Sequence, residues 1–374
     1  MSPEPIRVGI IGAAPDRGWA ATAHIPALRA LPDFSLAAVC TTRQESADAA
    51  ARKFGIPAAV SDWRALVERK DVDLVVVTVK VRFHRELALA ALAAGKHVFC
   101  EWPLGLDTAQ AQEMAAAAQR SGRRNMVGLQ GRIHPVLMHV RKLLQDGLIG
   151  RMLSMTLTSS LSSWGPRLPP AEEYRADRRS GATGLTIPGG HSLDTLAACV
   201  GPFREFSALL STQHKETEII GTGRVVPVNS PDQVLLSGTL ANGAVASVHV
   251  KADMAVPMGV RLEINGADGD LLIVSHSGPG QNPVGLQRAE LTLSHAKRGS
   301  TEYAEIAVPD DGLLPAGVPK GAPYYTARLF AHLAKAIRDG SNVSPNFADA
   351  VHCHQLLDAV QRASDSGQKV AVPV

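Results

Sequence analysis

Gly9-Ile10-Ile11-Gly12-Ala13-Ala14, followed by Gly18-Trp19, sets small residues between an apolar run and the start of an amphipathic one. A diphosphate needs residue types in that order: small side chains let the backbone approach, and amides at a helix start attract the anion. Gly12, Ala13, Ala14, Gly18 and Trp19 are therefore the candidate pyrophosphate contacts. The pattern departs from Gly-x-Gly-x-x-Gly, because Ala13 or Ala14 takes the middle position and Pro15-Asp16-Arg17 lengthens the turn. A purely structural turn is the competing reading. Where a carboxylate would hold the ribose 2′-hydroxyl of NAD, the chain has Thr41-Thr42-Arg43. Two hydroxyls and a guanidinium suit a 2′-phosphate, which favours NADP(H) over NAD(H); otherwise Arg43 is a solvated helix-start residue.

Such a turn works only at the mouth of a parallel sheet, and the first 130 residues alternate short apolar runs with longer amphipathic ones as that sheet requires. Ile6–Ile11, 35–41, 73–78, His97–Cys100 and 125–129 read as strands, several apolar on both faces. Segments 19–30, Gln44–Phe54, 83–94 and 108–120 read as helices, with Gly55 and Gly95 as stops. After a helix at 136–145 the rhythm changes. Runs at 151–160, 233–239, 244–250 and 260–264, the last three separated by Asn242-Gly243 and by a longer stretch, with Asn265-Gly266 closing the last, imply a mostly antiparallel open sheet. Segments 161–179 and 277–320 read as loops, and helices return at 325–338 and 348–365. The expected architecture is α/β: a Rossmann doubly wound parallel sheet over residues 1–130, then an α+β domain over 131–374 for substrate binding and oligomerisation.

Composition narrows the classes of function. A net charge of +3 over 374 residues, with 4% aromatics, gives nucleic acid no basic stripe to follow. No apolar run approaches the ~20 residues of a membrane span, and the start lacks a signal-peptide pattern, so a cytoplasmic protein is expected. Cys40, Cys100, Cys199 and Cys353 lack metal or disulfide spacing and read as buried thiols. His352-Cys353-His354 diverges around a helix, and Ser160, Ser162 and Ser163 lie outside any nucleophile elbow, so no metal centre and no acyl-transfer site are expected.

The chain resembles the Gfo/Idh/MocA oxidoreductases over nearly its full length, and their Gal80-like branch most. The resemblance is carried by Val8-Gly9-Ile10-Ile11-Gly12, Gly18-Trp19 with His24-Ile25-Pro26-Ala27, and Val79-Lys80-Val81-Arg82-Phe83-His84. It continues through Glu101-Trp102-Pro103-Leu104, Leu129-Gln130-Gly131-Arg132, Gly190-His191-Ser192-Leu193-Asp194 and Ile264-Asn265-Gly266-Ala267-Asp268-Gly269. It implies that catalytic members carry Glu-Lys-Pro, whose lysine handles the substrate proton, and Asp-x-Gly-x-His-x-x-Asp. Here those positions hold Trp102 and Ile187, while His191 and Asp194 remain. The branch's regulatory namesake, which binds NAD(P) without known need for turnover, has Trp at the same place.

Indole does not titrate near neutral pH, so Trp102 cannot shuttle a proton. Its ring stacks on the nicotinamide or on an aromatic substrate, or packs as core. His191, with an ordinary pKa near ~6.5, is the first candidate acid-base group for a hydride transfer, and Asp194, three residues on, either orients it or binds a substrate hydroxyl. Lys80, just past the fourth strand, is the second candidate. Val79, His84, Glu101, Trp102 and Gln130 join the turn as cofactor contacts, with His84 capping its helix or meeting ribose. Arg132, Tyr174, Trp102 and His191 are the candidate substrate contacts. The expected function is an NAD(P)-dependent oxidoreductase acting on a hydroxyl or carbonyl of a small polyol, sugar or related ring compound. The alternative is a non-catalytic dinucleotide sensor. A homo-oligomer, dimer or tetramer, is expected from the uncovered sheet face.

Overall fold

A computed structural model describes residues 4–161, 163–256, 258–275 and 285–372; Ser162 and the part of the expected loop at 277–284 lie outside the described residues. The chain divides into two compact units: Met1–Gln130 with Asp311–His352, and Gly131–Asp310 with Cys353–Val374. The first stretch thus ends where the sequence rhythm changes, and a distant segment returns to it.

In the first unit, six strands lie in the order β3-β2-β1-β4-β5-β6 and every pairing is parallel. They are β1 (Ile6–Ile11), β2 (Phe34–Cys40), β3 (Ala58–Val60), β4 (Leu74–Val77), β5 (His97–Cys100) and β6 (Asn125–Val127). The connecting helices are α1 (Ile25–Ala30), α2 (Gln44–Phe54), α3 (Trp63–Val67), α4 (His84–Ala93) and α5 (Thr108–Ser121). All four residues of β4 are buried, because both faces of a doubly wound sheet are covered. The order reverses direction at β1, between β2 and β4, which in such sheets is where ligands bind, outside the carboxyl ends of the strands. The expected helix at 19–30 is in two parts: a π-type turn at Ala20–His24 leads into α1, whose first turn contains Pro26.

The returning segment completes this unit's core. Phe330, in the helix Ala322–Asp339, is fully buried against Phe34, Phe99 and His24, with ring centroids 5.4, 4.9 and 5.5 Å away. Pro345 supplies a carbonyl to the amide of Val127, and Asn125 Oδ1 accepts from the amide of Phe347 at 2.7 Å.

The second unit is built on a nine-stranded sheet. After α6 (Pro135–Gln145) come β7 (Met152–Ser160), β8 (Arg167–Leu168), α7 (Gly190–Val200), β9 (Phe203–Ser211), β10 (Glu216–Ile219), β11 (Arg224–Pro227), β12 (Gln233–Leu240) and β13 (Val245–Lys251). They are followed by β14 (Gly259–Gly266), β15 (Gly269–Ser275), β16 (Leu291–Lys297), β17 (Ala304–Glu305) and β18 (Val370–Ala371). The large sheet runs β17-β16-β15-β14-β7-β13-β12-β9-β18, antiparallel except for the parallel pair β13–β7. Two segments read as loops contain structure. Within 161–179, β8 joins β10 and β11 in a small sheet and is followed by 3-10 turns at Pro170–Ala176 and Arg178–Ser180. Within the other, β16 and β17 extend the large sheet.

Cys40, Cys100, Cys199 and Cys353 are free and buried. Among the described residues no helix is long and apolar enough to cross a membrane, and no group of three or more His, Cys, Asp or Glu could hold a metal ion.

Candidate functional site

In the first unit the candidate residues gather at the carboxyl ends of β1, β2, β4 and β5. Gly12 has φ +105°, and a Cβ there would collide with the Thr78 carbonyl and the Val79 side chain. Only glycine lets the turn leave β1 this close to β4. Thr78 fastens the crossing by donating from its amide and its hydroxyl to the Ile11 carbonyl, at 2.9 and 3.0 Å. Ala13 is buried, Ala14 half-buried, and Gly18 is exposed at φ +89° with open space where a side chain would be. These small residues leave a cradle at the switch point that fits a dinucleotide's diphosphate. Trp19 sits half-buried at the cap of the π-type turn. Beyond β2, the Thr41 hydroxyl donates to the Arg43 carbonyl at 2.9 Å, fixing a tight turn on which Thr42 and Arg43 are exposed.

Glu101, at the end of β5, pairs with His24 Nε2 at 2.6 Å. The imidazole is fully buried, held edge-on to Phe99 at 5.0 Å, and a Cβ at Gly128 would collide with the Glu101 carboxylate. Glu101 is thereby fixed from two sides, next to Trp102, which is itself 6% exposed. His84 is neither a cap nor exposed enough to reach a ribose. Its ring is buried, Nδ1 facing the Pro103 carbonyl at 2.8 Å and Nε2 the Val79 carbonyl at 2.9 Å. Burial holds its pKa below the ordinary value, against the pull of the two carbonyls. The ring braces the end of β4 to the segment after Trp102. Lys80 is exposed on the residue following Val79. Gln130 is buried, and its Oε1 has no hydrogen-bond partner among the described residues.

In the second unit, α7 opens with Gly190 and His191, after a π-type turn at Leu185–Gly189. A Cβ on Gly189 would stand 3.2 Å from the Gly184 carbonyl, so the chain passes itself tightly just before His191. The imidazole is 8% exposed, and its Nδ1 is buried without a hydrogen-bond partner among the described residues. Burial first, and the charge of Arg288 second, pull its pKa down to about 3. The ordinary titration expected from sequence is therefore replaced by a neutral ring throughout the physiological range. Asp194, one turn on, is 2% exposed and takes Arg132 side-on: Nε lies 3.0 Å from both carboxylate oxygens and Nη2 2.8 Å from one. Arg132, read from sequence as a substrate contact, holds Asp194 instead. Tyr174 is half-buried on the 3-10 turn Pro170–Ala176.

These buried imidazoles have a consequence for stability. His97 is drawn down to about 4 by burial, and burial depresses His249 and His332 as well. In the unfolded chain each would bind a proton near pH ~6.5. Between that pH and the folded values the unfolded state holds more protons, so stability falls as pH falls, and above about 7 these groups contribute no slope. We expect the urea midpoint to drop steadily from pH 6.5 to 4.5, before the carboxylates begin to protonate. A flat midpoint over that interval contradicts the assignment.

Sequence reasoning missed three groups. His24 could be found only as part of a motif, since Glu101 is 77 residues away. Phe330 lies in a segment that the sequence assigns to the other domain. Arg288 carries no motif at all.

The switch-point turn, the parallel six-stranded sheet and the large open sheet define a dinucleotide-binding protein of the Rossmann class with an appended α+β unit. A family model described as the oxidoreductase family with NAD-binding Rossmann fold matches residues 6–129, and one described as the C-terminal domain of Gal80p matches residues 135–275. The chain is 30% identical to levoglucosan dehydrogenase from Pseudarthrobacter phenanthrenivorans, covering 98% of both chains. It is 26% identical to the galactose/lactose metabolism regulatory protein GAL80 of Saccharomyces cerevisiae, over 73% of this chain and 68% of the relative. A structure of levoglucosan dehydrogenase in complex with NADH and L-sorbose superposes with a TM-score of 0.84 at 27% identity, covering 98% and 99% of the two chains. The chain belongs to the Gfo/Idh/MocA oxidoreductase family, within its Gal80-like branch.

Proposed function

We propose that this chain is an NAD(P)-dependent oxidoreductase that oxidises a hydroxyl, or reduces the matching carbonyl, of a small polyol, sugar or related ring compound. The observation that carries the reading is the buried His191, whose Nδ1 has no hydrogen-bond partner among the described residues. When bound, the nicotinamide takes up or releases a hydride. In the oxidation direction His191 would accept the proton of the substrate's hydroxyl, and the dinucleotide would supply the acceptor for the hydride whose loss leaves a carbonyl. A neutral ring enters that step as proton acceptor, and the growing alkoxide raises its proton affinity at the moment of transfer. Trp102, in the place of the family's lysine, forms a wall with a single N–H donor. Lys80 is the second proton-handling candidate, but its exposure to water favours His191.

NADP(H) is the preferred cofactor in this reading. It is supported by the exposed Thr42 and Arg43, held on a turn that the Thr41 hydroxyl closes. Trp19, Val79, Glu101 and Gln130 complete the cofactor contacts, and Tyr174 remains a substrate contact. Leu209 and Leu235, paired across β9 and β12 and exposed by 57% and 37%, support association of copies into a dimer or tetramer. The site works on a small molecule in the cytoplasm, without nucleic acid or membrane.

The test is purified protein with NADP⁺ or NAD⁺ and a panel of sugars, polyols and their carbonyl counterparts. We expect turnover, slowed by about 100-fold or more in His191→Asn. Arg43→Ala should shift the cofactor preference toward NAD(H). Cofactor binding with no turnover on any substrate supports the second reading, a dinucleotide sensor. That reading is favoured by the buried Trp102 and by the match to the Gal80p C-terminal domain.

A further inference from the structure

The pairing of His24 with Glu101 in the first unit has a chemistry that folding alone does not require. His24 is fully buried, with Phe99 and Phe330 edge-on to it at 5.0 and 5.5 Å. Its Nδ1 is buried without a hydrogen-bond partner among the described residues, which leaves Glu101 Oε1, 2.6 Å from Nε2, as the polar contact of the ring. A half-satisfied imidazole among phenylalanines costs stability that an apolar side chain of similar size would not. What the ring gives in return is direction. A carboxylate only accepts, so Nε2–H donates, and a ring held by its aromatic neighbours sets the rotation of the Glu101 head group. Gly128 makes room for the other oxygen, since a Cβ there would collide with Oε2. The Glu101 amide donates to the Val77 carbonyl at 3.1 Å, which ties the residue to the end of β4. The side chain is still 14% exposed, and Oε2 has no hydrogen-bond partner among the described residues.

We propose that His24 is a positioning residue for the nicotinamide half of the dinucleotide. It aims Glu101 so that Oε2 accepts a hydrogen bond from the nicotinamide riboside, either from a ribose hydroxyl or from the carboxamide N–H. The placement follows from the sheet. The strand order reverses at β1, so the two halves of a dinucleotide fall on opposite sides of it. The turn after β2 faces the adenosine ribose, and the ends of β4 and β5, where Glu101 stands, face the other half. An acceptor already fixed in the folded chain needs no ordering when the ligand arrives, and its charge strengthens the bond it makes. The inference needs a bound dinucleotide but no turnover. It therefore goes beyond the oxidoreductase reading and holds equally for a sensor.

Calorimetric titration of the full chain tests it, using NADPH and NADH beside ADP and 2′,5′-ADP, which carry the adenosine half alone. His24→Leu fills the space without a donor. We expect it to weaken the dinucleotides by about tenfold or more, the loss of one charge-assisted hydrogen bond, while the adenosine fragments bind as before and the urea midpoint does not fall. Glu101→Gln should show the same selective loss, the double variant no more than either single one, and His24→Gln, which keeps a donor, a partial recovery. The 3-acetylpyridine analogue of the dinucleotide, which lacks the carboxamide N–H, separates the two donors. Weaker binding of the analogue that the variants abolish assigns the carboxamide, and equal losses for analogue and parent assign the ribose. Unchanged dinucleotide binding in His24→Leu overturns the proposal, as does a loss shared equally by the adenosine fragments, which marks a structural role. Should His24→Leu not fold, Glu101→Gln and His24→Gln decide by the same criteria. These binding losses without turnover on any substrate overturn the oxidoreductase reading and leave His24 in its role, whereas turnover with binding indifferent to His24 does the reverse.

Discussion

Gly12→Val is expected to weaken binding of NADPH and NADH by more than 100-fold, as read by quenching of protein fluorescence on titration. Two costs combine. The position has φ +105°, which a β-branched residue adopts only under strain, and the new Cβ would press into the Thr78 carbonyl and Val79. The first strand must then separate from the fourth at the point where the turn is shaped, and each tenfold of lost affinity corresponds to about 1.4 kcal/mol. Gly18→Ala is the control. It meets the same unfavourable sign of φ but finds open space, so its loss should be smaller. Equal binding by Gly12→Val and the unmodified chain would mean that the diphosphate is held elsewhere.

Asp194→Ala is expected to lower stability by about 3 kcal/mol or more, because it strands a largely buried guanidinium. The carboxylate is 2% exposed and the Arg132 side chain 19%, so water can compensate only part of the lost charge pairing. Replacing both partners, Arg132→Met with Asp194→Leu, should recover much of that loss, since no buried charge then remains unpaired. A double variant as unstable as Asp194→Ala would show that the damage comes from packing at the start of α7 and not from charge. Chemical denaturation of the three proteins distinguishes the outcomes.

What was legible in the sequence follows from the range of the interactions involved. Strands such as β1 and β5 announce themselves because a parallel strand covered on both faces is apolar at most positions, with only Arg7 and His97 as polar exceptions, and α2 because Gly55 stops it in the left-handed conformation. By contrast β3, three residues long, and α3, five, are too short for any periodicity to show. Leu291–Lys297 alternates as an edge-side strand does, yet the Gly- and Pro-rich residues before it led the whole segment to be read as loop. In the site, the spacing of His191 and Asp194 was readable and their partners were not. The carboxylate found a guanidinium 62 residues earlier in the chain, and burial removed the imidazole's ordinary titration. Likewise Glu101 could be placed next to Trp102 by adjacency, while its clamp on His24 arises only when β5 and the turn after β1 lie side by side.

The helix that carries Phe330 gives the first unit an unusual history. A ribosome delivers the amino-terminal strands early, together with the rings of Phe34, Phe99 and His24, but the side chain they close upon, Phe330, is encoded 231 residues after the last of these rings. Until that helix emerges, the nascent nucleotide-binding half carries an open greasy notch, exposed during the whole time in which the second sheet is being synthesised. Maturation of the coenzyme site thereby waits for the synthesis of the helix Ala322–Asp339.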